Sequence, residues 1–479
     1  MRITLLTLLT VICCITTTAA TTQASAKRVR NKVCPAYIYR ITLTDKNKSP
    51  YSIDHPSRFL SRRSIERRKR QGLSIDSTDL PVSPHYIRAI ENRQTAVIGQ
   101  SRWNNTVLVE MRDTSDIQRI RHLPFVSNCR NVWQAPDSIE PTAIRTKFHD
   151  SFLPNDSIPD TMYGRAADQI QTTNGQRLHD IGYCGEGLTI AVLDGGFKNV
   201  NRIPAFSKVD IKGTRDFVFP NSPSVFYEID HGTRVLSTMA INTPYYYIGT
   251  APQASYWLLR CEDPQSEQEV EEDYWAMAVE FADSVGCDLI NSSLGYHQYD
   301  HGIGSHQLWQ LDGHSTFISR TASMVIGKGI ILVNSSGNTG MGGWKKLTFP
   351  ADAEDCLTVG AVTEELGNAP FSAVGPTQDG RIKPDVVAIG SPATIVTGRG
   401  TIAQDMGTSF ASPIICGLTA CLWQALPKLT ARQIIQLIRQ TSRNSEHPDN
   451  ITGYGLPNFW RAYMVGRIQQ KSDQPSQTE

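Results

Sequence analysis

Beyond its first 26 residues the sequence lacks any apolar run of the roughly 18 residues that a membrane-spanning helix needs. It also lacks a CxxC pair and any Cys/His cluster with metal-ligand spacing, which argues against a structural zinc site. Its 35 glycines and 26 prolines follow no period, so collagen-like and low-complexity architectures are excluded. With 40% hydrophobic and 19% charged residues, the 479-residue chain can bury a core, which excludes global disorder.

The first 26 residues have the organisation of a secretory signal peptide. Arg2 is the positive end, the stretch Leu5–Ile15 is apolar, and Ala24-Ser25-Ala26 is a small-residue cleavage site. We therefore expect export to the medium or the periplasm, and a soluble mature chain without a membrane span. Eight of the ten cysteines follow the signal, so the oxidising compartment permits disulfides, but the sequence leaves their pairing open.

Charge is unevenly divided along the chain, although the formal net charge is only +1. Residues 27–131 hold 21 Lys and Arg against 9 Asp and Glu, whereas residues 132–479 hold 25 against 37. Opposite charges of this size can hold two parts of one chain together, and a basic solvated surface without a partner is the open alternative. Nucleic acid is not expected as a partner, because the basic part has no interleaved aromatic residues and no recognised binding fold.

Two structural patterns follow one another along the chain. Residues 34 to about 132 alternate strand-like segments with short basic helices, among them a helix predicted over Ser57–Arg70, and this favours a small α+β unit. From about residue 163, short apolar strands alternate with helices, which predicts a parallel sheet with helices on both faces. The predicted divisions are a signal peptide (1–26), a basic α+β domain (27–133), a proline-containing linker (134–162), an α/β domain (163–467) and a polar, disordered tail (468–479).

Three short segments of the α/β domain supply an acid, a base and a hydroxyl. Asp194 ends the buried strand segment Ala191-Val-Leu-Asp194-Gly-Gly, and His231 opens a predicted helix in His231-Gly-Thr-Arg-Val. Ser409 opens an apolar helix in Gly407-Thr-Ser409-Phe-Ala-Ser-Pro413. A serine nucleophile needs a base that takes its proton, and the base needs an acid that fixes its tautomer, so the set fits a catalytic triad.

These segments resemble the three signatures of the subtilisin-like serine peptidases, the subtilases, in the chain order acid, histidine, serine. The resemblance extends over about residues 163–465. Four further segments resemble that family: Asn291-Ser-Ser-Leu294-Gly295, Asn334-Ser-Ser-Gly337-Asn338, Lys383-Pro-Asp385-Val-Val-Ala and Thr452-Gly-Tyr-Gly455-Leu-Pro457.

The resemblance implies a role for each matching residue. Ser409 would be the nucleophile, His231 the general base and then acid, and Asp194 the group that orients and supports His231. Asn338 would donate its side-chain amide to the oxyanion. The implied substrates are proteins or peptides, bound by strand addition at Ser293, Leu294 and Gly295, with Ser336 and Gly337 shaping the specificity pocket. No cofactor would be required.

Two positions depart from the family pattern. Arg234 stands where the family usually has a second histidine, which predicts different packing beside His231. Gly195 follows Asp194 where the family commonly has Ser or Thr. Neither change removes a proton-transfer group.

The segment Glu262–Asp273 contains seven acidic residues. Acidic residues favour the first turns of helices, so we expect a solvated helix start here, with a structural calcium site as the alternative.

The basic domain resembles a propeptide of the same family, which implies a zymogen whose own N-terminal domain inhibits it. The stretch Arg67-Arg-Lys-Arg70 is expected to be an uncut helix face, with a processing site as the alternative. The overall prediction is a secreted serine endopeptidase made as a zymogen. Two competitors remain: a non-catalytic peptide-binding protein with the subtilase fold, and a serine esterase, which the order of the triad disfavours.

Overall fold

The computed structural model describes residues 37–135, 161–302 and 304–472. Within them, a small α+β domain precedes a larger α/β domain. The predicted signal peptide, most of the predicted linker and Cys34 lie outside the described residues.

The first domain is a four-stranded antiparallel sheet with strand order β2-β3-β1-β4. Its elements are β1 (Tyr37–Leu43), α1 (Arg62–Arg70), α2 (Pro84–Ile90), β2 (Thr95–Ser101), β3 (Thr106–Met111), α3 (Ile117–Arg121) and β4 (Val126–Gln134). One face of the sheet packs on α2 and α3 through a small apolar core. The other face contributes Trp103, Leu108 and Trp133 to a core that it shares with the larger domain.

The predicted helix over Ser57–Arg70 is shorter in the structure. A single 3-10 turn covers Pro56–Arg58, and α1 begins only at Arg62. Ser61 has an extended backbone and accepts a hydrogen bond from Ser64 N, so it caps α1 and ends any continuous helix before it.

The larger domain is built on a seven-stranded parallel sheet with strand order β13-β12-β11-β10-β5-β9-β6. The strands of the domain are β5 (Thr189–Asp194), β6 (Asp210–Asp216), β7 (Asn242–Thr243), β8 (Tyr247–Ile248), β9 (Ser255–Arg260), β10 (Leu289–Ser292), β11 (Ile331–Ser335), β12 (Leu357–Thr363), β13 (Val386–Ser391), β14 (Ala393–Val396) and β15 (Ile402–Asp405). Its helices are α4 (Ala167–Gln171), α5 (Gln176–Asp180), α6 (His231–Ala240), α7 (Val270–Val285), α8 (Phe317–Val325), α9 (Thr408–Ala425), α10 (Ala431–Thr441) and α11 (Phe459–Ser472).

Helices cover both faces of this sheet, as the alternating pattern predicts. In β5, Ile190 and Val192 join the core formed with α6, α9 and α10, whereas Ala191 and Leu193 join the core formed with α7 and α8. Successive side chains of a strand point to opposite faces, so a strand buried on both sides is apolar throughout. The prediction of a disordered tail from Ile468 is wrong for its first residues, because α11 continues to Ser472.

The acidic start of α7 is not solvated, contrary to expectation. Asp263, Glu269, Glu271, Glu272 and Asp273 are all buried. The first domain covers this end of the helix and supplies cations: Arg40 Nε donates to Asp273 at 2.7 Å, and Arg40 Nη1 donates to Glu269 at 3.0 Å. The divided charge of the chain is therefore used at the interface between its two domains.

Helix α1 carries the Arg67-Arg-Lys-Arg70 stretch onto the other end of α7. Arg67 and Arg68 are buried at 1% exposure and reach Asp283, which Arg102 also contacts at 2.6 Å. The expectation that this stretch is a helix face is confirmed, because two of its arginines are enclosed between the domains.

Candidate active site

Asp194 is the last residue of β5, in the interior of the parallel sheet between β10 and β9. Its side chain is fully buried, and Oδ1 accepts a hydrogen bond of 2.8 Å from Gly195 N. The carboxylate is thereby held at the carboxyl edge of the sheet, where the connections of such folds place active sites.

His231 is the first residue of α6 and lies against this carboxylate. Its Nδ1 is 2.9 Å from both Oδ1 and Oδ2 of Asp194. Burial opposes a charge on the imidazole, but the negative charge of Asp194 outweighs it, so the pKa of His231 is raised above its ordinary value. With Nδ1 directed at an acceptor, the proton of the neutral ring belongs on Nδ1, which leaves Nε2 basic.

Ser409 is the second residue of α9 and lies beside the end of β10. Its Oγ donates to Ser293 O at 3.3 Å, and Ser293 Oγ donates to Ser409 O at 2.7 Å. The next residue, Phe410, places its ring 6.0 Å from that of His231, centroid to centroid. The fold therefore brings the start of α9, the start of α6 and the end of β5 to one place.

Asn338 lies in the loop after β11 and is oriented by Thr408. Its Oδ1 accepts hydrogen bonds from Thr408 N at 3.0 Å and from Thr408 Oγ1 at 2.9 Å. The amide nitrogen Nδ2 adjoins the same turn, since a Cβ placed on Gly407 would lie 3.5 Å from it. Sequence reasoning missed Thr408, although its position next to Ser409 was a signal.

The predicted substrate-binding residues form two segments that meet this site. Ser293 touches Ser409 directly, while the carbonyl of Leu294 accepts from Asn334 Nδ2 at 3.2 Å. Gly337 N donates to Thr408 Oγ1 at 3.3 Å. Gly295 follows Leu294 in the first segment, and Ser336 precedes Gly337 in the second.

Arg234 packs in a buried ion-pair cluster one turn after His231. Its Nη1 is 2.9 Å from Asp405 Oδ2, and its Nη2 is 3.0 Å from Asp230 Oδ2. This cluster connects the start of α6 to β15, the strand that precedes the Ser409 turn.

No group of three or more His, Cys, Asp or Glu side chains in the described part of the chain is arranged to hold a metal ion. In the same ranges, no helix combines the length and the apolar character needed to cross a membrane.

Residues 185–455 match the subtilase family, and residues 38–147 match the peptidase S8 propeptide domain of Bacteroidota. The thermostable alkaline protease of Halalkalibacterium halodurans is 29% identical over 302 residues, covering 61% of this chain and 72% of that protein. Subtilisin Savinase of Lederbergia lenta is 28% identical over 290 residues, covering 60% of this chain and 95% of that protein. The chain therefore belongs to the subtilase family of serine peptidases and carries the family's propeptide domain in front of its peptidase domain.

Proposed function

We propose that this chain is an exported serine endopeptidase, made as a zymogen, that hydrolyses peptide bonds through an acyl-enzyme on Ser409. The observation that carries the proposal is the buried contact of His231 Nδ1 with both carboxylate oxygens of Asp194, at 2.9 Å, next to the turn that carries Ser409. Peptide and protein substrates are the class that this chemistry and the named relatives, alkaline proteases and subtilisins, favour.

The mechanism follows from the roles of the three side chains. Ser409 Oγ attacks the scissile carbonyl carbon while His231 Nε2 accepts the hydroxyl proton. His231 then returns this proton to the departing amine, which leaves the acyl group on Ser409. A water molecule attacks the ester in the second half of the cycle, again losing its proton to His231. Asp194 stays ionised and stabilises the imidazolium that forms in each half.

The oxyanion of each tetrahedral intermediate would be stabilised by two donors. Asn338 supplies Nδ2, because Thr408 engages its Oδ1 and leaves the amide nitrogen as the donor. The second donor is the backbone N–H of Ser409 at the start of α9, where the partial positive charge of the helix terminus adds to the effect. Removal of one such donor typically lowers kcat by about 10²–10³-fold.

Substrate would bind as an added strand along Ser293, Leu294 and Gly295, with Ser336 and Gly337 on the other side of the specificity pocket. Main-chain pairing of this type gives affinity with little choice of side chain. Selectivity would then depend on the few side chains that border the pocket.

The precursor would consist of the signal peptide (1–26), the propeptide domain (27–133), the linker (134–162) and a peptidase domain that starts near residue 163 and includes α11 to Ser472. The zymogen would be this chain without the signal peptide. The buried pairs of Arg40 with Asp273 and of Arg68 with Asp283 support an inhibitor held firmly before cleavage in the linker. No cofactor is required by the proposed chemistry, and structural calcium stays an alternative.

The test is intact mass with and without a fluorophosphonate probe, on exported wild type and on Ser409→Ala. We expect wild type to lose its residues up to the linker and to gain one probe on Ser409, while Ser409→Ala stays folded, unprocessed and unlabelled. A wild-type chain that is processed but takes no probe would contradict the proposal and favour a peptide-binding protein.

A further inference from the structure

Arg234 lies between the start of α6, which carries His231, and the strand that leads to Ser409. Its Nη2 is 3.0 Å from Oδ2 of Asp230, the residue directly before His231. Its Nη1 is 2.9 Å from Oδ2 of Asp405, and these two side chains are 7% and 3% exposed. One guanidinium therefore joins the segment that supplies the proposed base to the segment that supplies the proposed nucleophile.

Asp230 attaches the start of α6 to the turn between β14 and β15. Its Oδ2 accepts a second hydrogen bond of 2.9 Å from Gly398 N in that turn. A Cβ placed on Gly398 would lie 2.6 Å from Asp230 Cβ, so the turn and the aspartate are in close contact. The same aspartate accepts from Arg234 N at its backbone oxygen, at 3.1 Å. The arginine is thus bound to this residue by its side chain and by the first turn of its helix.

Asp405 attaches the guanidinium to the backbone that leads into α9. It is the last residue of β15 and is paired with Ala393 of β14. Its Oδ2 contacts Arg234, and its Oδ1 accepts from Met406 N at 2.8 Å, at the first step of the turn toward Ser409. Because both carboxylate oxygens are engaged, a shift of this aspartate would be accompanied by a shift of that turn.

Transfer of the hydroxyl proton depends on the spacing of the two segments that Arg234 joins. A general base acts at roughly 2.6–3.2 Å from the atom whose proton it takes, and a misplacement of about 1 Å can lower the rate about 100-fold. In the structure Ser409 Oγ donates to Ser293 O at 3.3 Å, so the hydroxyl must turn toward His231 when it reacts. The distance that it then meets is set by the positions of α6 and α9.

We propose that Arg234 is a positioning residue, which holds the start of α6 and the strand before α9 at the separation that proton transfer from Ser409 to His231 requires. This inference rests on the proposed peptidase function. The arginine acts through the two aspartates, and its side chain suits this role, because the guanidinium nitrogens lie in one rigid plane and engage two carboxylates in fixed directions.

The test removes the whole cluster, because removal of Arg234 alone leaves two carboxylates without their cation. In Arg234→Met/Asp230→Asn/Asp405→Asn all three charges are absent, and each asparagine keeps an oxygen for the backbone N–H that its aspartate binds. Replacement of a complete buried ion cluster by neutral residues of similar size is often neutral for stability. Urea unfolding in a Ser409→Ala background should therefore give nearly the same midpoint with and without the cluster.

We expect this triple variant to lower kcat about 10–100-fold with little change in KM, because a misplaced base affects the transition state rather than peptide binding. The measurement is turnover of one internally quenched peptide by the processed enzyme, per active site labelled by a fluorophosphonate. Rates are compared on the alkaline plateau of each pH–rate profile, where the imidazole is neutral in every variant. For a variant that does not mature, the first-order rate of self-cleavage in the full-length chain replaces kcat and should fall by the same factor.

Two single variants complete the comparison. Arg234→Lys keeps the positive charge, but an ammonium is a point charge and does not hold two carboxylates in a fixed geometry, so its kcat should lie between those of the triple variant and wild type. Arg399→Ala is the control, since Arg399 is exposed in the turn between β14 and β15, and it should leave kcat and KM unchanged.

The outcomes distinguish this inference from the function on which it rests. A wild-type enzyme that cleaves no peptide and takes no fluorophosphonate would overturn both. An active wild type whose kcat the folded triple variant retains, or a triple variant that changes KM alone, would overturn the role of Arg234 only. If the triple variant does not fold, a kcat of Arg234→Lys equal to that of wild type would overturn it.

Discussion

Arg68 of the propeptide domain binds Asp283 of α7 with both of its terminal nitrogens, at 2.8 and 2.9 Å. Arg67 and Arg102 contact the same carboxylate. Burial by itself raises the pKa of Asp283, but the charges of the arginines outweigh it and hold this pKa at about 2. Three cations of the other domain therefore share this one buried carboxylate, and Arg68 also pairs with the buried Asp79 at 2.9 Å.

We expect Asp283→Asn to destabilise the unprocessed chain by about 3–5 kcal/mol, because it leaves three buried guanidinium groups without their shared anion. The measurement is urea unfolding of the full-length chain in a Ser409→Ala background, which prevents self-cleavage. Arg62→Ala is the control, since Arg62 lies on the exposed face of α1 and pairs with Glu66, and it should change nothing measurable. Equal midpoints for the two variants would contradict the role of Asp283.

The pH dependence of this interface has a definite sign. A carboxylate whose pKa is lowered on folding stabilises the folded chain above its unfolded pKa of about 3.9, and this stability is lost as the pH falls through the folded value. The difference in unfolding free energy between Ser409→Ala and Ser409→Ala/Asp283→Asn should therefore be constant from pH 7 to about 5 and shrink below pH 4. A difference that already vanishes near pH 6 would show that other groups control the interface.

Local sequence patterns were enough to predict the sheet and the proposed triad. Apart from β6, the strands of the central sheet are buried and largely apolar, so their positions follow from local composition. Asp194 ends one of these strands, and His231 and Ser409 lie at the starts of helices α6 and α9. Because strand ends and helix starts of a parallel sheet share one edge, the meeting of these residues needed no long-range information.

Features that depend on distant contacts could not be predicted in this way. Strand β6 (Asp210–Asp216) is a mostly polar edge strand whose sequence carries no hydrophobic alternation. The sequence alone predicts a solvated acidic start of α7. Its burial depends on Arg40, which lies 233 positions from Asp273 in the sequence and contacts it only in the fold.

Asp194→Asn should lower kcat by about 10⁴ while leaving the chain folded, because the amide favours the wrong tautomer of His231. The carboxylate also raises the pKa of His231, so its loss should lower that pKa. The acidic limb of kcat/KM, which reports the loss of the basic imidazole, should then move to lower pH. The measurement is a pH–rate profile on one quenched peptide, with the exposed Asp180→Asn as control. An unmoved limb would show that another group sets it.

Asn338→Leu should lower kcat by about 10²–10³ with little change in KM, as expected for a donor that acts on the transition state. Thr408→Val should also lower kcat, since it removes the hydroxyl that donates to Asn338 Oδ1 at 2.9 Å. Thr408→Ser keeps a hydroxyl at this position and should retain most of the wild-type kcat. A double-mutant cycle tests whether Thr408 acts through Asn338. In an Asn338→Leu background, Thr408→Val should lower kcat little further. Fully additive losses would mean that Thr408 does not act through Asn338.

Arg234→Ala should destabilise the chain by about 3–5 kcal/mol, because it leaves the carboxylates of Asp230 and Asp405 beside each other without a cation. Burial already raises the pKa of Asp405 despite the charge of Arg234, so removal of the arginine should raise it further. A carboxylate with a raised pKa destabilises the fold most at neutral pH, so acidification toward pH 5 should recover part of the loss. Urea unfolding of Ser409→Ala/Arg234→Ala at pH 7 and pH 5 measures both effects, with the exposed Arg399→Ala as control. A loss no larger than that of the control would mean that the arginine merely fills the position where the family usually has a histidine.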